Sequence, residues 1–322
     1  MKLAEHYTPI ARSLERVERI FDDELAGEVD VVNNLCAHIR QYRGKMLRPA
    51  LLLLTGEACG RVTREHHVLG SVVELVHMAT LVHDDVLDEA DLRRRCTTIN
   101  RLHGNEAAVL LGDYLISHAF HLCSSLDSQY ASRLIGSTTN TVCEGELMQV
   151  FHRGDYDLSE ETYFEIISRK TASLVATCCI LGSRFAGADP AVIAAAERYG
   201  MSVGVAFQII DDVLDLQGTE QETGKTLGRD LDKEKLTLPI IHYLRTADRD
   251  VKAEALAVMN NGHQDRAERI ARMVSQSDSV RYAYHKARHH VRVAVEALAV
   301  FPDGDAKDSL TAMAEFIIDR HE

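Results

Sequence analysis

Proline is scarce in this chain: Pro9, Pro49, Pro190, Pro239 and Pro302 are the only five in 322 residues, with none between Pro49 and Pro190. A turn-rich β architecture of that length is excluded, because its turns and edges would need the punctuation that proline supplies. Long apolar runs are absent too. No segment approaches the roughly 18 consecutive apolar residues of a membrane span, and the opening MKLAEHYTPIARSLERVERI has no continuous apolar stretch of the secretory kind. A soluble, cytoplasmic protein is expected. Positive charge is in deficit, with 36 Lys plus Arg against 49 Asp plus Glu and a net charge of −13. That balance excludes a nucleic-acid binder, which needs a positive footprint for phosphates, but leaves anionic small molecules open if metal ions mediate. The seven cysteines form no CxxC pair, and Cys178-Cys179 lies in an apolar stretch, so they read as reduced core thiols.

What the chain has is 46% hydrophobic residues, enough for a sizeable core. In 69–87 and 192–216 the apolar residues recur at intervals of three and four, on stripes wide enough for buried helices, and no stretch alternates with period two. Breakers fall around 40–49, 56–64, 88–104, 152–158, 182–190, 218–239, 260–263 and 302–305. Eight to thirteen helices are expected in one all-α domain, 1–322, with its motifs in about 40–240 and C-terminal helices in about 240–322. No composition shift marks a linker, and there is no low-complexity tract or repeat. The two segments that share DDVLD have unrelated flanks.

The first of these is Asp84-Asp85-Val86-Leu87-Asp88. On a helix Asp84 and Asp88 project from one face while Asp85 turns about 100° away. Like charges at that spacing repel by roughly a few tenths of a kcal/mol even when exposed, and by more beside Leu81, Val82, Val86 and Leu87, where the dielectric is lower. A cation between them removes the penalty, and an oxygen-only ligand set suits Mg²⁺. The bland alternative is a solvated helix end entering the charged loop DEADLRRR. Arg93-Arg94-Arg95 in that loop could fork onto phosphate oxygens or pair with Glu89 and Asp91.

The second, Asp211-Asp212-Val213-Leu214-Asp215, repeats the spacing in a strongly apolar helix, with Gln208 placed on the face of Asp211 and Asp215. A loop with Lys225, Arg229, Lys233 and Lys235 follows it, and Lys45 and Arg48 lie before a helix expected to begin near Pro49. Local cation clusters in an acidic protein point to diphosphates. Lys170-Thr171 sits in the otherwise apolar helix 164–181, where Lys170 either has a functional anion or snorkels to water. His77 alone could be a satisfied core histidine.

Taken together and in order, GKMLRP, HDDVLDEADLRR, KTASL, FQIIDDVLD and GKTLGRDLDKEKLTLP resemble the trans-isoprenyl diphosphate synthases of the polyprenyl synthetase family, over roughly residues 30 to 320. The resemblance implies a single large helical bundle of the isoprenoid synthase type around a central cavity, homodimeric, with membrane contact confined to product release. It implies Mg²⁺, three ions with diphosphate bound, on Asp84, Asp88 and Asp211, with Asp85, Asp212 and Asp215 nearby or acting through water. Lys45, Arg48, His77 and Arg94 would hold isopentenyl diphosphate. Arg93, Lys170, Lys225 and Lys235 would hold the allylic diphosphate, with Thr171 and Gln208 directing oxygens at the carbocation. Arg95 and Glu234 depart from the family pattern, which often has glycine at both places.

Back from Asp84, one helical face carries Thr80, Val76 and Val73, with Ala79 beside Thr80. In the resembling family, aromatic residues here stop elongation, so Ala79 and Thr80 imply a product beyond farnesyl, from geranylgeranyl to about decaprenyl. Leu115, His118, Phe120, His121 and Leu122 are candidates for the tunnel floor, and the sequence does not choose among them. A short-chain geranylgeranyl or farnesyl synthase and a non-catalytic partner subunit remain alternatives. A terpene cyclase needs no second diphosphate site, which Lys45, Arg48 and Arg94 supply, and a di-iron bundle needs two ExxH pairs where only Glu74 and His77 make one.

Overall fold

Apolar residues on every side of a helix force it into the interior, and the segment after GKMLRP is such a helix: Leu51, Leu52, Leu53 and Leu54 are all fully buried. The computed structural model describes residues 3–42, 44–217, 229–260 and 266–318. Lys225 lies outside the described residues. A 3₁₀ segment, Leu3–Ile10, leads into α1 (Ala11–Glu24), α2 (Asp30–Ile39), the apolar α3 (Leu47–Ala58), α4 (Arg64–Leu87), α5 (Ile99–His103), α6 (Asn105–Ser124), α7 (Gln129–Phe151), α8 (Glu160–Ile167), α9 (Ser173–Phe185) and α10 (Pro190–Gln217). Then come α11 (Arg229–Asp232), α12 (Leu238–Thr246), α13 (Arg249–Asn260), α14 (Arg266–Ser275), α15 (Ser279–Ala297) and α16 (Asp305–Phe316).

Sixteen α-helices among the described residues exceed the expected eight to thirteen, in part because two short helices, α5 and α11, occupy stretches that read as breakers. Two-residue strands, β1 (Leu92–Arg93) and β2 (Cys96–Thr97), pair antiparallel in the loop after α4. Their turn is Arg94-Arg95, with φ of 49° and 66°. Two consecutive left-handed residues are what the primed hairpin turn requires, and this is why Arg95 stands where glycine would be unstrained. Glu234, the other departure, also has a left-handed φ, 57°, in the turn that follows α11.

The helix starts follow local chemistry. Ser128 and Ser159 cap α7 and α8 by accepting from the main-chain N–H of Ala131 and Thr162. Pro190 and Pro239 occupy first-turn positions, where no intrahelical donor is lost. The helix read as 164–181 is in fact α8 and α9 joined by one π-helical turn, Ser168–Ala172. A wider turn of this kind re-aims successive side chains and is often found at functional sites.

Packing runs in a series: α10 against α9, α9 against α3 and α4, and α4 against α6, with α15 covering α10 and both α1 and α16 covering this inner layer. The two aspartate-bearing helices, α4 and α10, therefore flank α9. Cys36, Cys123, Cys178 and Cys179 are buried free thiols within the core, and no helix among the described residues is long and apolar enough to cross a membrane.

One half-buried contact makes stability depend on pH. His290 of α15 packs on Phe164, and burial, helped by His289 and Lys286, pushes its pKa down to about 4. The unfolded chain takes up this proton near pH ~6.5 while the folded chain resists, so stability falls as pH drops from ~6.5 to ~4. His290→Gln is expected to lose less thermal stability than the native chain between about pH 7.5 and about pH 5. Equal losses in the two melting curves would contradict this.

Candidate active site

Asp84, Asp85 and Asp88 crowd the C-terminal end of α4, and Asp211, Asp212 and Asp215 that of α10, with no basic residue in the last turn of either helix. The macrodipole makes a helix C-terminus negative, so these carboxylates sit where a helix least favours them and depend on cations from elsewhere.

Asp85 turns inward. It is 1% exposed, and both Nε and Nη2 of Arg93 reach its Oδ1 at 2.7 Å, while its Oδ2 has no hydrogen-bond partner among the described residues. Burial raises its pKa against the pull of Arg93. Arg93 thus pairs with Asp85 rather than with the Glu89 and Asp91 weighed from sequence, because the hairpin folds back over the end of α4. Asp88 accepts from Lys235 Nζ at 2.7 Å, with Arg153 Nη2 at 3.6 Å. Burial opposes its charge, but Lys235, Lys170 and Arg153 outweigh that and hold its pKa below the usual value.

On α10, Asp212 is the buried member, taking hydrogen bonds from Tyr163 Oη at 2.6 Å and Gln208 Nε2 at 2.8 Å. Gln208 therefore engages Asp212, one turn on, rather than Asp211 and Asp215. Its carbonyl accepts one hydrogen bond, from Thr171 Oγ1 at 2.8 Å, and Thr171 is the more exposed end of the relay, Asp212 the buried one. Asp215 Oδ2 accepts from the Asp230 main-chain N–H at 3.1 Å. The Asp230 carboxyl, its pKa raised by burial, lies within electrostatic reach of Asp211, Asp88, Lys235 and Lys170. The two motifs thus face a common space.

Lys170 occupies that space from the π turn. Its ammonium pairs with Glu146 and donates to Gln149 Oε1 at 2.9 Å. Burial works against the charge, but Asp84, Glu146 and Asp88 raise its pKa above the usual value. Lys170 therefore has anions on two sides and does not snorkel.

A second cationic cluster lies between α3, α4 and the hairpin. Arg48, Arg94 and His77 meet there with the buried Glu74. Burial, followed by the charges of Arg48, Arg94 and Arg93, holds the His77 pKa well below its usual value, so the imidazole is neutral. Arg48 Nε is buried without a hydrogen-bond partner among the described residues, and the Arg94 guanidinium donates to the Tyr42 carbonyl and lies where a Cβ on Gly44 would be. Lys45 follows Gly44 directly, and its ammonium lies 5.9 Å from the centre of the Phe316 ring.

Of the chain-length candidates, Ala79 and Val76 are buried and Thr80 half-buried, its hydroxyl on the His77 carbonyl. Leu115 is fully buried and His118 is tied to Glu24 at 3.1 Å, whereas Phe120 and His121 are exposed and form no floor within this subunit. Sequence reading passed over Glu146, Gln149, Arg153, Tyr163 and Asp230, and weighed Glu74 only as half of an ExxH pair. Glu146 and Gln149 carried the one usable signal, two polar residues three apart on a helix that had to bury part of its surface.

The carboxylates offer only oxygen donors, and Asp84, Asp88, Asp211 and Asp215 all stay partly exposed, so the donor set fits a hard divalent ion such as Mg²⁺. Among the described residues no three acidic, His or Cys groups are already closed round a metal position. Asp88 is instead held by ammonium.

Gly145 lets α7 approach the π turn: a Cβ there would lie 2.5 Å from the Lys170 main-chain N and 2.8 Å from Arg169 Cβ, whereas Gly136 on the same helix has nothing within 4 Å. Gly145→Ala is expected to lower stability by about 1–3 kcal/mol and Gly136→Ala to leave it unchanged or raised, read from denaturant melts. Equal effects would contradict the packing described.

Comparison with known proteins places this geometry. The polyprenyl synthetase family model matches residues 29–276. An octaprenyl diphosphate synthase of Haemophilus influenzae is 32% identical over 309 residues, covering 96% of this chain and 94% of that one. A heptaprenyl diphosphate synthase component 2 of Bacillus subtilis is 31% identical over 317 residues, covering 98% and 90%. A polyprenyl synthase of Caulobacter crescentus, solved with calcium and isoprenyl diphosphate, superposes with a TM-score of 0.93 at 30% identity, over 100% of this chain and 98% of that one. With its two DDVLD helix ends facing a shared set of cations inside an all-α isoprenoid synthase fold, the chain belongs to the polyprenyl synthetase family.

Proposed function

We propose that this chain is a trans-prenyltransferase that condenses isopentenyl diphosphate with an allylic diphosphate to give an all-trans polyprenyl diphosphate longer than farnesyl. The observation that carries the reading is the presence of two separate cation clusters. Lys170 and Lys235 stand among the carboxylates of α4 and α10, and Arg48, His77 and Arg94 stand beside α3, so there is one anion site for each diphosphate.

Asp84, Asp88 and Asp211 would hold Mg²⁺, whose bound charge assists departure of pyrophosphate. Lys170 and Lys235, joined by Lys225 on the strength of the family pattern, bind and orient the allylic diphosphate so that its C–O bond breaks with the electron pair leaving on pyrophosphate. Arg48, Arg94 and Lys45 hold the second diphosphate, and neutral His77 offers it an N–H without adding charge. The isopentenyl double bond then forms the new C–C bond, and a proton is lost, with the departed pyrophosphate as acceptor. Thr171, at the outer end of its relay to Gln208 and Asp212, turns a hydroxyl oxygen toward the carbocation. Arg93, Asp85 and Asp212 act by holding these groups in place.

The relatives' chain lengths and the lack of an aromatic side chain at Ala79 and Thr80 support a long product. A homodimer is the assembly we infer, because α7 leaves Leu147 and Phe151 exposed one turn apart, Phe151 by 84%. The component 2 relative makes a two-component enzyme the second reading.

Purified chain alone, given Mg²⁺, isopentenyl diphosphate and farnesyl diphosphate, is expected to yield prenyl diphosphates beyond geranylgeranyl on chromatography, and Ala79→Phe to shorten them. No condensation with either farnesyl or geranylgeranyl primer would overturn the function. An unchanged length in Ala79→Phe would overturn the tunnel placement.

A further inference from the structure

Arg153 lies two residues beyond α7, outside every motif read from the sequence. Its Nη2 approaches Asp88 Oδ1 at 3.6 Å, an ion pair but too long for a hydrogen bond. Neither Nε nor Nη2 has a hydrogen-bond acceptor among the described residues, although both atoms are buried. Buried guanidinium nitrogens without acceptors are costly, and a site retains them where a ligand brings oxygens to them.

The surroundings say which ligand. Asp88 is already satisfied by Lys235 at 2.7 Å, so Arg153 adds positive charge beyond what that carboxylate requires. The backbone ties the two cations into one unit: the Gly154 N–H donates to the Glu234 carbonyl at 2.9 Å, and the Lys235 N–H donates to the Asp230 carbonyl at 2.7 Å. Once Asp88 turns to a divalent ion, Lys235 and Arg153 lose their anion together, at the same point beside Asp84 and Lys170. The group that can replace it there is a doubly charged, oxygen-rich one.

We propose that Arg153 is a substrate-binding residue that forks onto the diphosphate held at the α4–α10 carboxylates, the allylic one, and is parked on Asp88 when that site is empty. It makes no contact with the Arg48–His77–Arg94 cluster, so it discriminates between the two diphosphates. The assignment rests on the functional reading above.

The test is calorimetric titration of the whole chain, in Mg²⁺, with the unreactive analogue farnesyl thiodiphosphate and separately with isopentenyl diphosphate. Arg153→Gln is expected to weaken the analogue about tenfold while isopentenyl diphosphate stays within about twofold, and Arg153→Lys to recover part of the loss. Melting midpoints are measured alongside to show that the variants are folded. Unchanged affinity for the analogue in folded Arg153→Gln, or equal weakening of both diphosphates, would overturn the assignment alone. Native chain that binds neither diphosphate would overturn the functional reading and the assignment with it.

Discussion

Two helices end in carboxylates, and a helix end of that polarity carries the equivalent of about half a negative charge of its own. Placed to face each other across α9, the ends of α4 and α10 repel, and the apolar turns beneath them lower the dielectric and sharpen the repulsion. Much of the surrounding structure answers this one constraint. The hairpin folds back to give Arg93 to Asp85, the segment after α10 returns to give Lys235 to Asp88, and the π turn gives Lys170 to the space between. Tyr163 and Gln208 secure Asp212 by hydrogen bonds without adding charge.

This division of labour explains why the six motif aspartates are not equivalent. Asp85 and Asp212 are buried and spent on protein partners, which fixes the orientation of the helix ends, while Asp84, Asp88, Asp211 and Asp215 stay toward the shared space. The remaining negative charge is what a metal and the diphosphate it carries would neutralise. Backbone strain accumulates in the same places: Arg94, Arg95 and Glu234 adopt left-handed conformations at roughly 1–2 kcal/mol each, in the turns that deliver Arg94 and Lys235.

Much of this was legible in the sequence, for identifiable reasons. Helical period and proline placement expose the all-α fold, since both report local backbone geometry. The spacing of four in DDVLD separates Asp84 and Asp88 from Asp85, because a helix face is a property of spacing alone. What local patterns do not encode is which distant groups meet. The pairing of Arg93 with Asp85 depends on where a hairpin folds, and that of Lys170 with Glu146 on the close approach of α7 at Gly145. The same limit hid Arg153 and Asp230, whose importance lies wholly in their neighbours. It also left open the tunnel floor, where exposure of Phe120 and His121 against burial of Leu115 follows from how α6 is rotated against α4.

The central claim is that opposed carboxylates bind a diphosphate only through a shared divalent ion. It is tested most directly by the thermal unfolding midpoint measured with Mg²⁺ alone, with inorganic pyrophosphate alone, and with both, in native chain and in the Asp84→Asn, Asp211→Asn double variant. The account predicts that in the native chain the rise with both present exceeds the sum of the separate effects, and that this excess disappears in the variant. No excess in the native chain, or an excess that survives in the variant, would contradict it.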